Sequence, residues 1–412
     1  MRKLVPLIAL AAAIPLQARA ANVTCSSLVS SSTPTLWLQI GDTQEPLIKL
    51  LGRDLANSTT NKMTIVYITA GSCANVPAIY NGTPKLTGNM NYIPPGYDGT
   101  STPPVCTNDI AGGHVIDVAN AALFTSTCGF TKPNTVTEQQ GPVQAYALVV
   151  PNGSSQTSIT AEEAYFVFGF GNNDGFGAST PNSPWNDETQ MFIRTSTKST
   201  LLTWIAMLST KGDTSRTFTA AKFKGVPLAQ SAQVESGVQG ASPAEKGIGL
   251  LGAEVFDANR SLVKELAFRW FGQKHAWLPD SNSASFDKRN LRDGHYAPWS
   301  PTYWLQVVDP NTNAPVNANA DFLINMILGK QTLDTAVPLD EVIKVGLVPS
   351  CAMQVTRDFE AGPLKPFAPT PSCTCYYEAH VTNGSSSCAT CSTANPTCPG
   401  AGVCRNNFCE AR

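Results

Sequence analysis

Twelve cysteines are spread so unevenly along these 412 residues that the chain has to be built from two unlike pieces. Cys25, Cys73, Cys106, Cys128 and Cys351 are scattered, whereas the other seven crowd between Cys373 and Cys409. A tail this dense in cysteine and this poor in core-forming residues has to be held by bridges rather than by burial. Pro363, Pro366, Pro369 and Pro371 precede it as a stiff linker. Two odd sets cannot each pair internally, so at least one bridge is expected between body and tail, with Cys351 the nearest candidate. Cys373-x-Cys375 and Cys388-x-x-Cys391 could also serve as zinc ligands, with His380 the one histidine at hand. Disulfides are favoured because the start of the chain points to an oxidising compartment.

Residues 1–20 have the order of a secretory signal. Arg2 and Lys3 form a charged start, Leu4 to Pro15 an apolar centre, and Ala18-Arg19-Ala20 a small-x-small cleavage site. The apolar run is too short for a bilayer, which needs about 20 residues, and no later stretch is long enough. Asn22-Val23-Thr24 ahead of Cys25 is not a lipobox. A periplasmic or secreted protein without a membrane span is expected. Charged residues are only 14% of the chain, the net charge is −2, and no basic field exists to hold nucleic acid.

Between about 33 and 350, short β-branched runs alternate with helical patterns. Leu36 to Ile40, Met63 to Thr69, Val115 to Val118, Ala145 to Val150 and Gly247 to Leu251 read as strands. Pro46 to Asn57, Ser199 to Leu208 and Ala320 to Gly329 read as helices, the first opened by proline and the last closed by glycine. That alternation predicts an α/β architecture with a largely parallel sheet. Long Pro/Gly/Asn-rich loops at 81–113 and 171–190 are of the kind that carry binding or stay disordered.

Catalytic signatures are scarce. No HExxH and no GxSxG occur, and the order of Lys198-Ser199-Thr200 and Ser261-x-x-Lys264 is the reverse of that in serine acyl-enzymes. Gly247-x-Gly249-x-x-Gly252 has dinucleotide-loop spacing, but its glycines interleave with Ile248, Leu250 and Leu251 and read as part of a strand. No enzyme, cofactor or metal is expected. Three turns suit an anion instead. Arg194 precedes Ser199 and Thr200, whose helix start can offer free N–H groups and an arginine clamp. Gly71-Ser72 follows the strand Met63 to Thr69, and Asp117 follows Val115-Ile116; ligands in open α/β sheets sit beyond such strand ends. The plainer roles for these residues are a solvated N-cap loop and a loop cap.

Together these turns resemble the phosphate-binding proteins of ABC importers, within the type 2 periplasmic solute-binding proteins. Tyr67-Ile-Thr-Ala-Gly-Ser72-Cys73-Ala74-Asn75 is similar to that family's Y-Q-G-x-G-S-S-G-G loop, which places its ligand serine on Ser72. Asp117 to Phe124 resembles D-F-G-A-S-D-x-P-L, which places the acceptor of the phosphate proton on Asp117. Arg194 to Thr200 resembles R-x-x-G-S-G-T, placing anion ligands on Arg194, Ser199 and Thr200. Thr43 resembles the first ligand threonine of the T-F-P loop. Gly141 to Pro151 looks like a crossover strand, and Tyr303 to Val308 like the return. The departures are Ala74 and Asn75 for glycines, Cys73 and Lys198 for serines, and Ala122 for the second aspartate.

The resemblance implies a two-lobed type 2 periplasmic-binding-protein-like α/β fold with two hinge crossovers. Lobe I would take 33–140 and 298–350, and lobe II 143–297. A linker at 351–372 and a small disulfide-rich tail at 373–412 would follow. The implied function is capture of phosphate or a related oxyanion in the interlobe cleft, with the membrane subunits of an ABC transporter as partners. The substituted loops and the tail suit an alternative: a secreted adhesion or surface-interaction protein that keeps the scaffold and binds no solute.

Overall fold

Trp37, Leu38, Ile40 and their neighbours in Thr35–Gly41 are buried on both faces, which is the mark of a central strand with helices on either side. In the computed structural model, residues 23–411 are described except for 31, 84, 172–182, 210–217 and 393. The expected signal at 1–20 and most of the loop at 171–190 lie outside the described residues.

The strands follow as β1 (Thr35–Gly41), β2 (Thr64–Ala70), β3 (Asn89–Tyr92), β4 (Val105–Thr107), β5 (Val118–Ala121), β6 (Val136–Pro151), β7 (Ser158–Thr160), β8 (Met191–Arg194), β9 (Val226–Leu228), β10 (Ile248–Gly252), β11 (Val263–Glu265), β12 (Ala267–Arg269) and β13 (Trp299–Val307). The helices used below are α1 (Glu45–Asn57), α2 (Ser72–Tyr80), α3 (Ala161–Phe170), α4 (Ser199–Leu208), α5 (Ser231–Gln239), α6 (Ala253–Phe256), α7 (Arg289–Arg292), α8 (Ala318–Ile327), α9 (Pro338–Lys344) and α10 (Thr374–His380).

One continuous sheet runs β4-β3-β2-β1-β5-β13-β6-β10-β8-β9, with β11 joined to β6. The fold is α/β and two-lobed. One half is built on β1, β2 and β5 and the other on β8, β9 and β10, with the long strands β6 and β13 shared between them. Gly141-Pro142 marks the passage. The 136–140 stretch of β6 pairs with 303–307 and the 143–145 stretch with 299–301, with a register shift between. A Cβ on Gly141 would lie 2.7 Å from Thr302 Oγ1, and Pro142 has no N–H to lose to the shift. Thr302 donates to Pro142 O at 2.9 Å and holds the kink.

Side chains of β1 alternate between two cores. Leu36, Leu38 and Ile40 meet α1, α8 and α9, while Trp37 joins Ile79, Met90 and Ile116 on the other face. The second half has its own core around Leu148, Trp204, Leu250 and Phe268. Gly249 belongs to β10, and a Cβ there would collide with Val238 of α5, so close packing explains the glycine.

Every cysteine is paired: Cys25–Cys106, Cys73–Cys128, Cys351–Cys373, Cys375–Cys388, Cys391–Cys404 and Cys398–Cys409. Cys351–Cys373 is the body-to-tail bridge. The tail nevertheless does more than hang from bridges. Tyr376 and Tyr377 of α10 are buried in the core of the second half. Glu410 accepts from the Cys375 and Tyr376 amides at 3.1 and 2.8 Å. The start of the linker, ahead of the prolines, is likewise embedded: Arg357 is buried and stacks 3.8 Å over Trp299, whereas Pro363, Pro366 and Pro371 are exposed.

Candidate functional site

The C-terminal ends of β1, β2 and β8 meet where the halves face each other. Asp42 follows β1 directly and is the pivot. Its Oδ2 accepts from Arg194 Nη2 at 2.7 Å and from both the amide and the hydroxyl of Ser231 at 3.1 Å. Its Oδ1 accepts from Lys198 Nζ at 2.8 Å. Arg194 ends β8, Lys198 precedes α4, and Ser231 opens α5, so three elements of one half grip a carboxylate of the other. The N-terminus of α5 adds its dipole to the two cations. Burial opposes ionisation of Asp42, but Arg194 and Lys198 outweigh it and hold the carboxyl below its usual range.

Arg194 is fully buried. Its other N–H groups go to Leu228 O, Ala229 O and the Ser231 hydroxyl. The third turn also packs on the first: Cys73 N donates to Thr197 O at 3.1 Å and Lys198 Nζ to Ala70 O at 3.2 Å. A side chain at Gly71 would run into Thr197, so glycine is required there.

Of the residues expected at the site, five converge. Arg194 holds Asp42, Thr43 follows Asp42 directly, Ser72 opens α2 just past Ala70, and Ser199 and Thr200 open α4 just past Lys198, which reaches Ala70 O; all are buried. Ser72 Oγ accepts from Ala122 N at 3.0 Å. The hydroxyls of Thr43 and Thr200 are buried without hydrogen-bond partners. Ser199 lies beside the Tyr146 hydroxyl, which donates to Ala122 O.

Asp117 does not join them, and its expected role is corrected. It precedes β5 rather than ending a strand. Its Oδ2 accepts from Trp37 N at 2.9 Å and its Oδ1 from Asn317 Nδ2 at 2.9 Å. Trp37 lies near the start of β1, and the four residues on to Gly41 span about 13 Å. Asp117 therefore sits at the opposite end of these strands from Asp42, where it caps a strand start. Ala122 occupies the cleft end of β5.

Two more carboxylates reach the junction. Glu254 of α6 is 8% exposed; one oxygen accepts from Gln144 Nε2, while Oε1 has no partner. Gln144 also accepts from Gln44 Nε2 at 2.6 Å, so a chain of polar groups crosses from half to half. Burial, with the charge of Asp42 adding to it, pushes the Glu254 carboxyl up to about 8. Glu360, in the linker ahead of the prolines, accepts from Phe124 N at 3.3 Å and Ser300 Oγ at 2.9 Å. Burial raises the Glu360 carboxyl above its ordinary value, with Arg357 the main group opposing it. Asp42, Ser231, Glu254 and Glu360 escaped notice in the sequence, where Lys198 stood out only as a substituted serine; of the four, Asp42 alone carried a signal, standing just past an apolar strand.

The two carboxyls near the cleft act oppositely on stability as pH changes. The folded state binds a proton at Glu254 up to about 8, against an ordinary 4.5. Its contribution is fully present below the ordinary value and is lost as pH rises to about 8. Asp42 contributes above its ordinary 3.8 and loses that contribution as pH falls through its lowered folded value. Chemical denaturation should therefore show this Glu254 contribution falling from pH 4.5 to 8 and levelling beyond. Glu254→Gln should flatten the slope; an unchanged slope would contradict this assignment.

A cavity of about 520 Å³ opens beside Asp42, lined among others by Glu45, Leu50, Ser231, Glu254 and Val255. Another, of about 570 Å³, lies between α7 and the tail, but its Arg292 is already committed to Glu378 at 3.1 Å and Ala352 O at 3.0 Å.

No family model and no curated protein matches the chain. Among solved structures it is similar to a Clostridium perfringens chain described as a phosphate ABC transporter substrate-binding protein and solved with bound phosphate. That match has 12% identity and a TM-score of 0.49, covering 76% of this chain and 99% of that one. It is also similar to an ABC-type phosphate transport receptor from Vibrio cholerae, with 13% identity, a TM-score of 0.46, and 76% and 99% coverage. A third match is a Corynebacterium glutamicum OxyR mutant, with 10% identity, a TM-score of 0.38, and 72% and 63% coverage. The two-lobed architecture rests on this chain's own strand order.

Proposed function

We propose that the chain is an exported, non-enzymatic solute-binding protein whose interlobe junction takes a small oxyanion, phosphate or a chemical relative, in the place filled by the Asp42 carboxylate. The supporting observation is the grip on that carboxylate: an arginine, a lysine, a hydroxyl and a helix-start amide converge on one anion. The unpartnered hydroxyls of Thr43 and Thr200 stand ready for a ligand with more acceptors than a carboxylate. Ser72 and Ser199 complete the proposed set. With Asp117 elsewhere, nothing assigns a preference for phosphate over sulfate to that residue. Binding would move the two halves as rigid bodies about β6 and β13. The closed form would then be the one shown to the membrane subunits of an ABC importer.

The cost of this design is competition. A tethered carboxylate has an effective concentration on the order of millimolar, so a free anion binds more weakly by the fraction of time Asp42 stays in place. That same feature favours a second reading, a secreted interaction protein in which Asp42 is the permanent occupant. The test is the melting temperature of the mature protein in chloride, sulfate and phosphate at equal ionic strength. The oxyanion reading expects a rise of several degrees with millimolar phosphate or sulfate over chloride. No rise, in the wild type or after removal of the Asp42 carboxylate, rejects it in favour of the second.

A further inference from the structure

We propose, resting on the oxyanion reading above, that the solute is an organic molecule carrying a protonated amine a short chain away from its oxyanion, with the amine received by Glu254 in the cavity beside Asp42. Size is the first ground. An inorganic oxyanion is equivalent to a few waters of about 30 Å³ each, a small part of the 520 Å³ available. Cavities of about 300–1,000 Å³ are those that enclose organic ligands.

The lining gives the chemistry. Glu254 borders this cavity and is more than nine-tenths buried, and its Oε1 has no partner. A buried polar atom left so costs about 1–3 kcal/mol, and an ammonium group would answer it with a charge-assisted bond. Arg194 cannot serve, because its N–H groups go to Asp42, Ser231, Leu228 and Ala229. Glu45 borders the same space and offers a second acceptor, held in place by the Tyr67 hydroxyl at 2.8 Å. Two lysines also line the cavity, but Lys49 is tied to Thr100 O at 2.7 Å and Lys344 lies 3.9 Å from Glu341. Leu50 and Val255 supply apolar wall for the connecting methylenes.

Because burial keeps Glu254 protonated to about 8, seating an amine there would ionise it and release a proton at pH 7.

Calorimetry with 2-aminoethyl phosphate, glycerol 3-phosphate and inorganic phosphate tests this on the mature wild-type protein. The expected result is that the aminoethyl compound binds at least about tenfold tighter than glycerol 3-phosphate, a difference of about 1.4 kcal/mol. Its binding heat should vary with buffer as a proton leaves, and E254Q, nearly isosteric with the protonated carboxyl, should bring the affinity ratio close to one. A wild-type ratio near one overturns the proposal whether or not the variant folds, and a ratio that survives E254Q overturns the role of Glu254. Phosphate binding without an amine preference rejects the amine alone. Failure of all three ligands, with wild type and with the Asp42 carboxylate removed, rejects the oxyanion reading as well.

Discussion

Replacing Asp42 by alanine should destabilise the protein by about 3–5 kcal/mol in anion-free buffer and, at the same time, raise its affinity for phosphate at least about tenfold. Both effects come from the same vacated contact. Arg194 has no solvent exposure and Lys198 very little, so neither cation can turn to water when the carboxylate goes. Arg194 keeps the Leu228 and Ala229 carbonyls, which places the loss toward the lower end of that range. Phosphate should then recover about 2.7 kcal/mol at a hundredfold excess over its dissociation constant. Urea melts of wild type and variant, with and without phosphate, read both quantities. A loss under about 1 kcal/mol, or a variant indifferent to phosphate, would mean that Asp42 does not occupy an anion site.

The second large effect is expected in the buried ionic cluster behind α6. Lys288 is fully buried, with Nζ 2.8 Å from Asp257 Oδ2 and 3.0 Å from Asp280 Oδ2. Glu265 lies in the same cluster, and Arg260 contacts Asp257 and reaches Asp280 at 2.6 Å. Burial alone would disfavour the charged lysine, but the surrounding carboxylates reverse that and hold it protonated. Lys288→Met would fill the volume and leave Asp257 and Asp280, beside a Glu265 that burial pushes up to about 8, to one arginine. Stripping one partner from a buried ionic group costs about 3–5 kcal/mol, or roughly 5 °C in melting temperature for a chain of this size. The loss should shrink toward pH 5, where a freed carboxylate can take a proton. A melting point lowered by less than about 2 °C at pH 7 would refute the account. Asp257 directly follows α6, which carries Glu254, so this cluster also anchors the end of that helix.

Much of the scaffold was readable in the order of residues. The Ser199–Leu208 helix appears at its expected bounds, and the strands at 36–40 and 63–69 differ from β1 and β2 by a residue at each end. Their apolar runs are long enough to dictate their own state. The fifth strand misled. Val115-Ile116 has the β-branched look of a strand, yet Val115 is 55% exposed and the paired residues are Val118-Ala-Asn-Ala121. Alanine and asparagine carry little intrinsic strand preference; pairing with β1 and β13 decides that segment. Because the strand starts later, Asp117 moves from its end to its beginning. Asp42 was hidden for a different reason. Its partners stand 152, 156 and 189 positions away, and local pattern is silent about such distances. The tyrosines of the tail were hidden among cysteines in a segment that reads as coreless.

Glu360 has a mechanical consequence. It belongs to the segment leading into the tail, yet it is bonded to Phe124 on one side and to Ser300 in a shared strand. Under the proposed rotation of the halves these bonds would be sheared, which would couple the linker, and through it the tail, to the hinge. A force on the last forty residues would be transmitted to the mouth of the cleft, and occupancy of the cleft would set how tightly that end of the molecule is reeled in.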